Sequence, residues 1–97
     1  MNNLINMLGM AAKKGDIVVG GKRVLSAVQE TNNLYIFMAR DLGDNTKKKL
    51  TDKARTYQIP CNQTFSEAEL SSAIGRAHVK VVAIKDSPLM KHPTFNP

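Results

Sequence analysis

The chain has 97 residues, enough for one domain with a buried core and too few for a second. Its Lys and Arg residues number 14 against 8 Asp and Glu, and the resulting net charge of +6 favours a polyanionic partner, above all nucleic acid. The single cysteine, Cys61, excludes an intramolecular disulfide and predicts a cytoplasmic protein, and no stretch predicts a signal peptide or a membrane span.

The first half of the chain predicts two helices that alternate with two strands. The run Leu34 to Ala39 is apolar on both faces, which is typical of a central strand covered by helices on each side. Gly15 is placed to end the first helix in a left-handed cap. In chain order the elements are a helix over 3–14, a strand at 17–19, a helix from Gly20-Gly21 that fades at 31–33, and a strand over 34–39.

The second half continues the alternation. Asp44 or Asn45 is expected to cap the third helix, whose buried stripe contains Leu50, Ala54 and Tyr57. The segment Ser66-Glu67-Ala68-Glu69 matches a capping box and predicts the start of a fourth helix. The remaining elements are a strand at 59–62, where Pro60 marks either an edge strand or a strand start, a fourth-helix end at Gly75, a strand over 79–84, and a short helix from Ser87-Pro88 to Pro93.

This order of elements predicts the fold class α/β. We expect a three-layer α/β/α sandwich around a mainly parallel, central sheet of about four strands. The whole chain, residues 1–97, is predicted to form one domain, with a short proline-containing tail after residue 88.

The glycine pair Gly20-Gly21 and the two cations Lys22 and Arg23 form the most informative motif. Cations in the first turn of a helix oppose the helix dipole by about 0.3–1 kcal/mol each. An anion bound there would reverse that effect, and glycines let a ligand approach the free N–H groups closely. The motif therefore predicts a phosphate-docking corner, with an ordinary turn and solvated charges as the alternative.

Two further segments carry cations. Arg76-Ala77-His78-Val79 leads into the last strand: Arg76 and His78 can donate to phosphate or base edges, and Val79 offers an apolar contact. Alternatively, it is a plain helix-to-strand connection. Lys47, Lys48 and Lys49 could follow phosphates along a duplex. The competing interpretation is an ion pair between Asp44 and Lys48 on the surface of the third helix.

Enzymatic interpretations find little support in the sequence. It contains no cluster at metal-ligand spacing, no Walker phosphate loop and no three-glycine dinucleotide pattern. Cys61 follows Pro60 on a predicted strand, which favours a small buried residue over a nucleophile. We therefore predict no catalytic residues, no metal site and no cofactor.

Several segments together resemble a known family. They are Leu8-Gly9-Met10-Ala11 with a following basic pair, Val19-Gly20-Gly21, Asp41 with Asn45-Thr46-Lys47-Lys48, Thr51-Asp52-Lys53, Ile59-Pro60, and Ala73-Ile74-Gly75. On these segments the chain is similar, to about Asp86, to the YlxQ-type bacterial proteins of the kink-turn-binding ribosomal protein superfamily.

The resemblance implies an α/β/α fold, no catalytic activity and binding to structured RNA. In kink-turn-binding members, the start of the second helix enters the RNA groove beside sheared G·A pairs, and the loop before the last strand packs on an extruded base. These regions correspond to Gly20 to Ser26 and to Arg76 to Val79. Lys47 and Lys48 are accessory candidates, and ribosomal RNA is one candidate partner.

The chain departs from the kink-turn pattern at the second helix. Gly21, Lys22, Arg23 and Ser26 replace the Thr, Asn, Glu and Lys that kink-turn binders commonly carry. Because Lys and Arg only donate hydrogen bonds, the corner is predicted to hold RNA backbone more readily than it recognises G·A pairs. We expect the protein to be a monomer. The alternatives are a protein-interaction module of the translation or transcription machinery, with ribosomal or transcription proteins as partners, and, more remotely, a nucleotide-phosphate-binding enzyme.

Overall fold

The computed structural model describes residues 3–30 and 33–85. Helices and strands alternate along this part of the chain, as the sequence predicts. The elements are α1 (Asn3–Lys14), β1 (Ile17–Val19), α2 (Gly21–Glu30), β2 (Leu34–Met38), α3 (Asp44–Thr56), β3 (Cys61–Asn62), α4 (Glu67–Ile74) and β4 (Val81–Lys85). The helix expected from Ser87 and the tail after residue 88 lie outside the described residues.

The local signals at helix ends are confirmed except at the start of α3. Ser66 and Glu69 form the complete capping box, and Gly75 ends α4 with a φ of 72°. The predicted Asp44 or Asn45 cap is wrong: Gly43 occupies that position, and no side chain caps the helix. Gly43 O accepts from Lys47 N–H at 3.0 Å, so the helix begins one residue earlier than a side-chain cap at Asp44 would allow.

The sheet has the strand order β1-β4-β2-β3. Strand β4 runs antiparallel to both β1 and β2, and only β2 and β3 pair in parallel. The mainly parallel sheet that the sequence suggested is therefore wrong, although the α/β class holds. Since β4 is buried on both faces, its apolar run would look the same in either direction, so the pattern could not reveal its orientation.

Two helix pairs cover the sheet. α1 packs against α4, and α2 packs against α3. Every residue of β2 is buried between these layers. The α1–α4 contact is close at Gly9, where a Cβ would lie 3.1 Å from Ala73 O. None of the described helices has the length and apolar character needed to cross a bilayer.

The topology gathers three connections at one edge of the sheet. β1 and β2 point the same way, so α2 and α3, which follow them, start at the same edge. β4 points the opposite way, so the segment before it also lies there. We call these three segments, residues 20–23, 40–47 and 75–80, the glycine edge.

Candidate nucleic-acid interface

The start of α2 presents free backbone donors. Gly20 N–H donates to Val81 O at 2.9 Å, which ties this turn to the beginning of β4. Gly20 O accepts from Val24 N–H at 3.0 Å, the first intrahelical bond. The amides of Gly21, Lys22 and Arg23 therefore precede the hydrogen-bonded ladder and lack an intrahelical acceptor.

The two glycines of this turn have different roles. Gly20 has a φ of 103°, a conformation that residues with a side chain rarely adopt. Gly21 has no such constraint, and a Cβ there would lie 3.9 Å from Thr46 Cγ2, an ordinary contact distance. Of these two glycines, the fold requires only Gly20, and the missing side chain of Gly21 leaves space beside the amides.

The cations of the corner are exposed on one side of α2. The prediction that Lys22 and Arg23 occupy its first turn is confirmed. Within the described residues neither side chain forms an ion pair. Together with Ser26 they border a shallow groove along the β1 side of α2; its other lining residues are Val18, Ala27 and Glu30.

Ser71 of α4 holds both ends of the loop before β4. Its carbonyl accepts from Arg76 N–H at 3.1 Å, and its Oγ accepts from Val79 N–H at 2.8 Å. Val79 itself is only 2% exposed. Val79 therefore anchors the loop in the core, and the structure does not place it where the sequence analysis expected an apolar contact with a ligand.

The residues between these anchors face solvent. Arg76, Ala77 and His78 are exposed, and His78 adopts a φ of 60°. The His78 Nδ1 lies 3.5 Å from Glu67 Oε2, while 91% of the His78 side chain remains exposed. The loop thus presents two donor side chains on the glycine edge.

The lysines at the start of α3 differ in their surroundings. Lys47 is half-buried, and its Nζ donates to Arg40 O at 3.1 Å, so this ammonium group stabilises the β2–α3 connection. Lys48 is exposed, and the expected ion pair between Asp44 and Lys48 does not form. Of the two accessory candidates, Lys48 is therefore the one whose ammonium group is more available to a ligand.

A polar network joins the glycine edge to α4. Arg40 Nη1 donates to Thr64 O at 2.7 Å and to Glu69 Oε1 at 3.1 Å. Asp41 Oδ1 accepts from Glu67 N–H at 3.0 Å. The end of β2 and the start of α4 are therefore held together by side chains from both segments.

This network changes the acidity of two carboxyl groups. The hydrogen bond that the backbone N–H of Glu67 donates to Asp41 lowers the pKa of the Asp41 carboxyl group. The hydrogen bond that the backbone N–H of Ser66 donates to Glu69 lowers the pKa of the Glu69 carboxyl group, and Arg40 makes a smaller contribution in the same direction. Both groups stay ionised in the folded protein and serve as acceptors within the fold.

The described residues contain neither a cluster of metal ligands nor an activated thiol. Across residues 3–30 and 33–85, no three His, Cys, Asp or Glu side chains converge on a possible metal position. Burial raises the pKa of the Cys61 thiol to about 11, so it is a poor nucleophile at neutral pH. The free amides and the cations of the glycine edge are groups that can hold an anion.

Three residues of this interface escaped the analysis of the sequence. Thr46 lies beside Gly21, Ser71 holds the loop before β4, and Arg40 joins β2 to α4. Only Thr46 has a sequence signal, because it belongs to a segment that resembles the family. The contacts of Ser71 and Arg40 depend on how distant segments pack, which no local pattern reports.

Comparisons with known proteins point to one family. The model of the ribosomal protein L7Ae/L30e/S12e/Gadd45 family matches residues 2–91. An RNA-binding protein YlxQ from Enterococcus faecium is 34% identical over 87 residues, which are 90% of this chain and 84% of the relative. An RNA-binding protein YlxQ from Bacillus subtilis (strain 168) is 31% identical over 80 residues, 82% of this chain and 80% of the relative.

Solved structures give the same fold. A protein of unknown function from Bacillus halodurans C matches with a TM-score of 0.84 and 33% identity, covering 90% of this chain and 88% of that one. The Giardia lamblia 15.5kD RNA binding protein matches with a TM-score of 0.79 over 90% of this chain and 74% of that one. At 19% identity, this second likeness concerns the fold alone.

Proposed function

Because the chain belongs to the ribosomal protein L7Ae/L30e/S12e/Gadd45 family, we propose that it is a non-catalytic protein that docks structured RNA on the glycine edge. The observation that carries the proposal is the first turn of α2. This turn contains amides without an intrahelical acceptor and two cations, Lys22 and Arg23, without an ion-pair partner among the described residues. It also contains Gly21, a position where the backbone conformation does not require glycine.

The first turn of α2 is suited to bind an RNA phosphate. Three amides can donate to phosphate oxygens, and Lys22 and Arg23 supply positive charge at the same turn. Without an anion, each cation opposes the helix dipole by about 0.3–1 kcal/mol. A bound phosphate turns this repulsion into attraction, so the turn is more favourable occupied than empty.

The loop before β4 supplies a second contact on the same edge. Arg76 and His78 donate to phosphate or base edges, Ala77 allows close approach, and Ser71 fixes the loop at both ends. Lys48 at the start of α3 adds a further cation. The RNA would thus be held from α2 and from the loop before β4.

Because the cations of the corner can only donate hydrogen bonds, the corner favours recognition of RNA shape. Lys22 and Arg23 cannot accept hydrogen bonds from guanine amino groups, whereas phosphate, O6 and N7 remain available to them. Both YlxQ relatives are named as RNA-binding proteins, which supports RNA over other polyanions. We assign the protein to the cytoplasm as a monomer, with ribosomal RNA as the first RNA to test.

Crosslinking in cells followed by sequencing of the attached RNA tests this function. We expect ultraviolet crosslinks to structured RNA on peptides that contain residues 20–26 and 76–78. If instead no RNA is recovered and the co-purified proteins stay bound after ribonuclease treatment, the protein is an interaction module and the proposal is wrong.

A further inference from the structure

A second groove borders the glycine edge, between α2 and α3. α2 and α3 start beside each other at Gly21 and Thr46, run in the same direction and pack together. The groove begins about one helical turn from the corner, at Leu25 and Lys49, and extends along α3 to Thr56. Its lining residues are Leu25, Lys49, Asp52, Lys53 and Thr56.

The α3 residues of the groove share one helical face. Positions 49, 52, 53 and 56 follow the spacing that places side chains one above another on a helix. The core-facing side of α3 is a different stripe, with Leu50 and Ala54 buried. Lys49 and Lys53 are separated by about 6 Å along the helix axis, so their ammonium groups can meet different anions.

The groove combines three kinds of chemical group. Lys49, Asp52 and Lys53 are exposed, and none of them forms an ion pair with another described residue. The hydroxyl of Thr56 is occupied, because it donates to the backbone carbonyl of Asp52 at 3.0 Å. Leu25 is half-buried and contributes an apolar surface.

We propose that this groove holds the sugar-phosphate backbone of an RNA strand that continues from the glycine edge. Lys49 and Lys53 would donate to successive phosphates, and Leu25 would contact a ribose. The free carboxylate of Asp52 accepts a hydrogen bond from a ribose 2′-hydroxyl, a donor that DNA lacks. This assignment rests on the proposed function, since the groove extends its interface.

The mixed charge of the groove favours RNA over an acidic protein. An acidic peptide would bring carboxylates to both lysines, but its acidic side chains bring no hydrogen-bond donor to the Asp52 carboxylate between them. RNA provides an acceptor for each lysine and a hydroxyl donor for the carboxylate. The RNA backbone therefore offers a partner to each of the three charged groups.

The test measures affinity for an RNA hairpin with an internal loop and tandem G·A pairs, as a function of salt. Lys49→Gln with Lys53→Gln should reduce the slope of log affinity against log salt by about 1.4–1.8, the value for two phosphate contacts. Lys13→Gln with Lys14→Gln removes the same charge in the last turn of α1, at the opposite edge of the sheet, and should leave the slope unchanged.

A second measurement tests the ribose contact. Asp52→Ala should reduce the preference for the ribose hairpin over its 2′-deoxy counterpart by about three- to tenfold, the loss of one hydrogen bond. Overall affinity should rise or stay constant, because a negative charge is removed. If Asp52→Ala raises the affinity for the ribose hairpin and for the 2′-deoxy hairpin by the same factor, the proposed contact with the 2′-hydroxyl is wrong.

The outcomes separate this inference from the proposed function. If the wild-type protein binds the hairpin and the Lys49/Lys53 variant keeps its slope, the groove assignment is wrong while RNA binding at the corner stands. If polyglutamate binds through these two lysines and the RNA slope does not change, the occupant is an acidic protein. If the wild-type protein binds no RNA, the proposed function itself fails.

Discussion

Gly21 and Thr46 stand side by side at the starts of two helices: a Cβ on Gly21 would lie 3.9 Å from Thr46 Cγ2. The contact is ordinary, and the φ of Gly21 is not in the left-handed region. A side chain at position 21 is thus compatible with the fold. The space it would fill lies directly beside the free amides of α2.

We expect Gly21→Ala to separate binding from stability. Alanine favours a helix over glycine, so the free energy of unfolding should stay constant or rise by up to about 1 kcal/mol. RNA affinity should fall about tenfold, equivalent to about 1.4 kcal/mol, because the methyl group blocks the approach of a phosphate. Gly20→Ala is the contrasting variant: its φ of 103° should make alanine destabilising. Full affinity of Gly21→Ala would contradict the docking geometry.

Ser71→Ala should weaken both the fold and the loop before β4. The substitution leaves the buried N–H of Val79 without its acceptor, which costs about 1–3 kcal/mol. RNA affinity should fall as well at a temperature where the variant is fully folded, because Arg76 and His78 lose their fixed positions. Ser72→Ala, at the exposed neighbouring position, serves as the control in thermal unfolding and binding. Equal behaviour of the two variants would show that the loop is held by other contacts.

Stability should decrease on acidification through the carboxyl range. The folded-state pKa values of Asp41 and Glu69 are lowered, so the folded chain binds fewer protons than the unfolded chain and stability rises with pH. Their contribution is complete above the ordinary carboxyl pKa of about 4 and is lost as pH falls through the lowered values. Urea unfolding from pH 3 to 6 measures this, and Asp41→Asn with Glu69→Gln should flatten the dependence. An unchanged dependence in that variant would assign the acid sensitivity to other groups.

Cys61 should be unreactive in the native protein. With its pKa raised to about 11, only about one molecule in a thousand carries a thiolate at pH 8. A thiol-reactive dye should therefore label the folded protein slowly and label it fully in urea. Rapid stoichiometric labelling without urea would contradict the raised pKa of this half-buried thiol.

The sequence predicted those parts of the fold that depend on neighbouring residues. The capping box at Ser66, the cap at Gly75 and the buried run from Leu34 are each confirmed, because a few adjacent residues determine them. The start of α3 was predicted incorrectly, since Gly43 is the N-cap residue and no side chain caps the helix. The direction of β4 was missed because burial on both faces hides orientation.

In the candidate site, too, the features set by neighbouring residues were predicted and those set by the packing of distant segments were missed. The position of Lys22 and Arg23 in the first turn of α2 was predicted from the glycine pair before them, which is a local signal. Val79 and Lys47 were predicted as ligand contacts from residue type and from the family resemblance, yet Val79 packs in the core and Lys47 donates to Arg40 O. The α2–α3 groove was not foreseen, because it depends on the packing of two helices that are separated by a strand in the chain.

The salt dependence of RNA affinity in a Lys22→Gln, Arg23→Gln variant tests the central claim most directly. If each cation contacts a phosphate, the slope of log affinity against log salt should decrease by about 1.4–1.8 relative to the wild type. The free variant should be at least as stable as the wild type, because two cations that oppose the helix dipole by about 0.3–1 kcal/mol each are removed. A more stable or equally stable variant with the reduced slope would support docking at the start of α2, and an unchanged slope would contradict it.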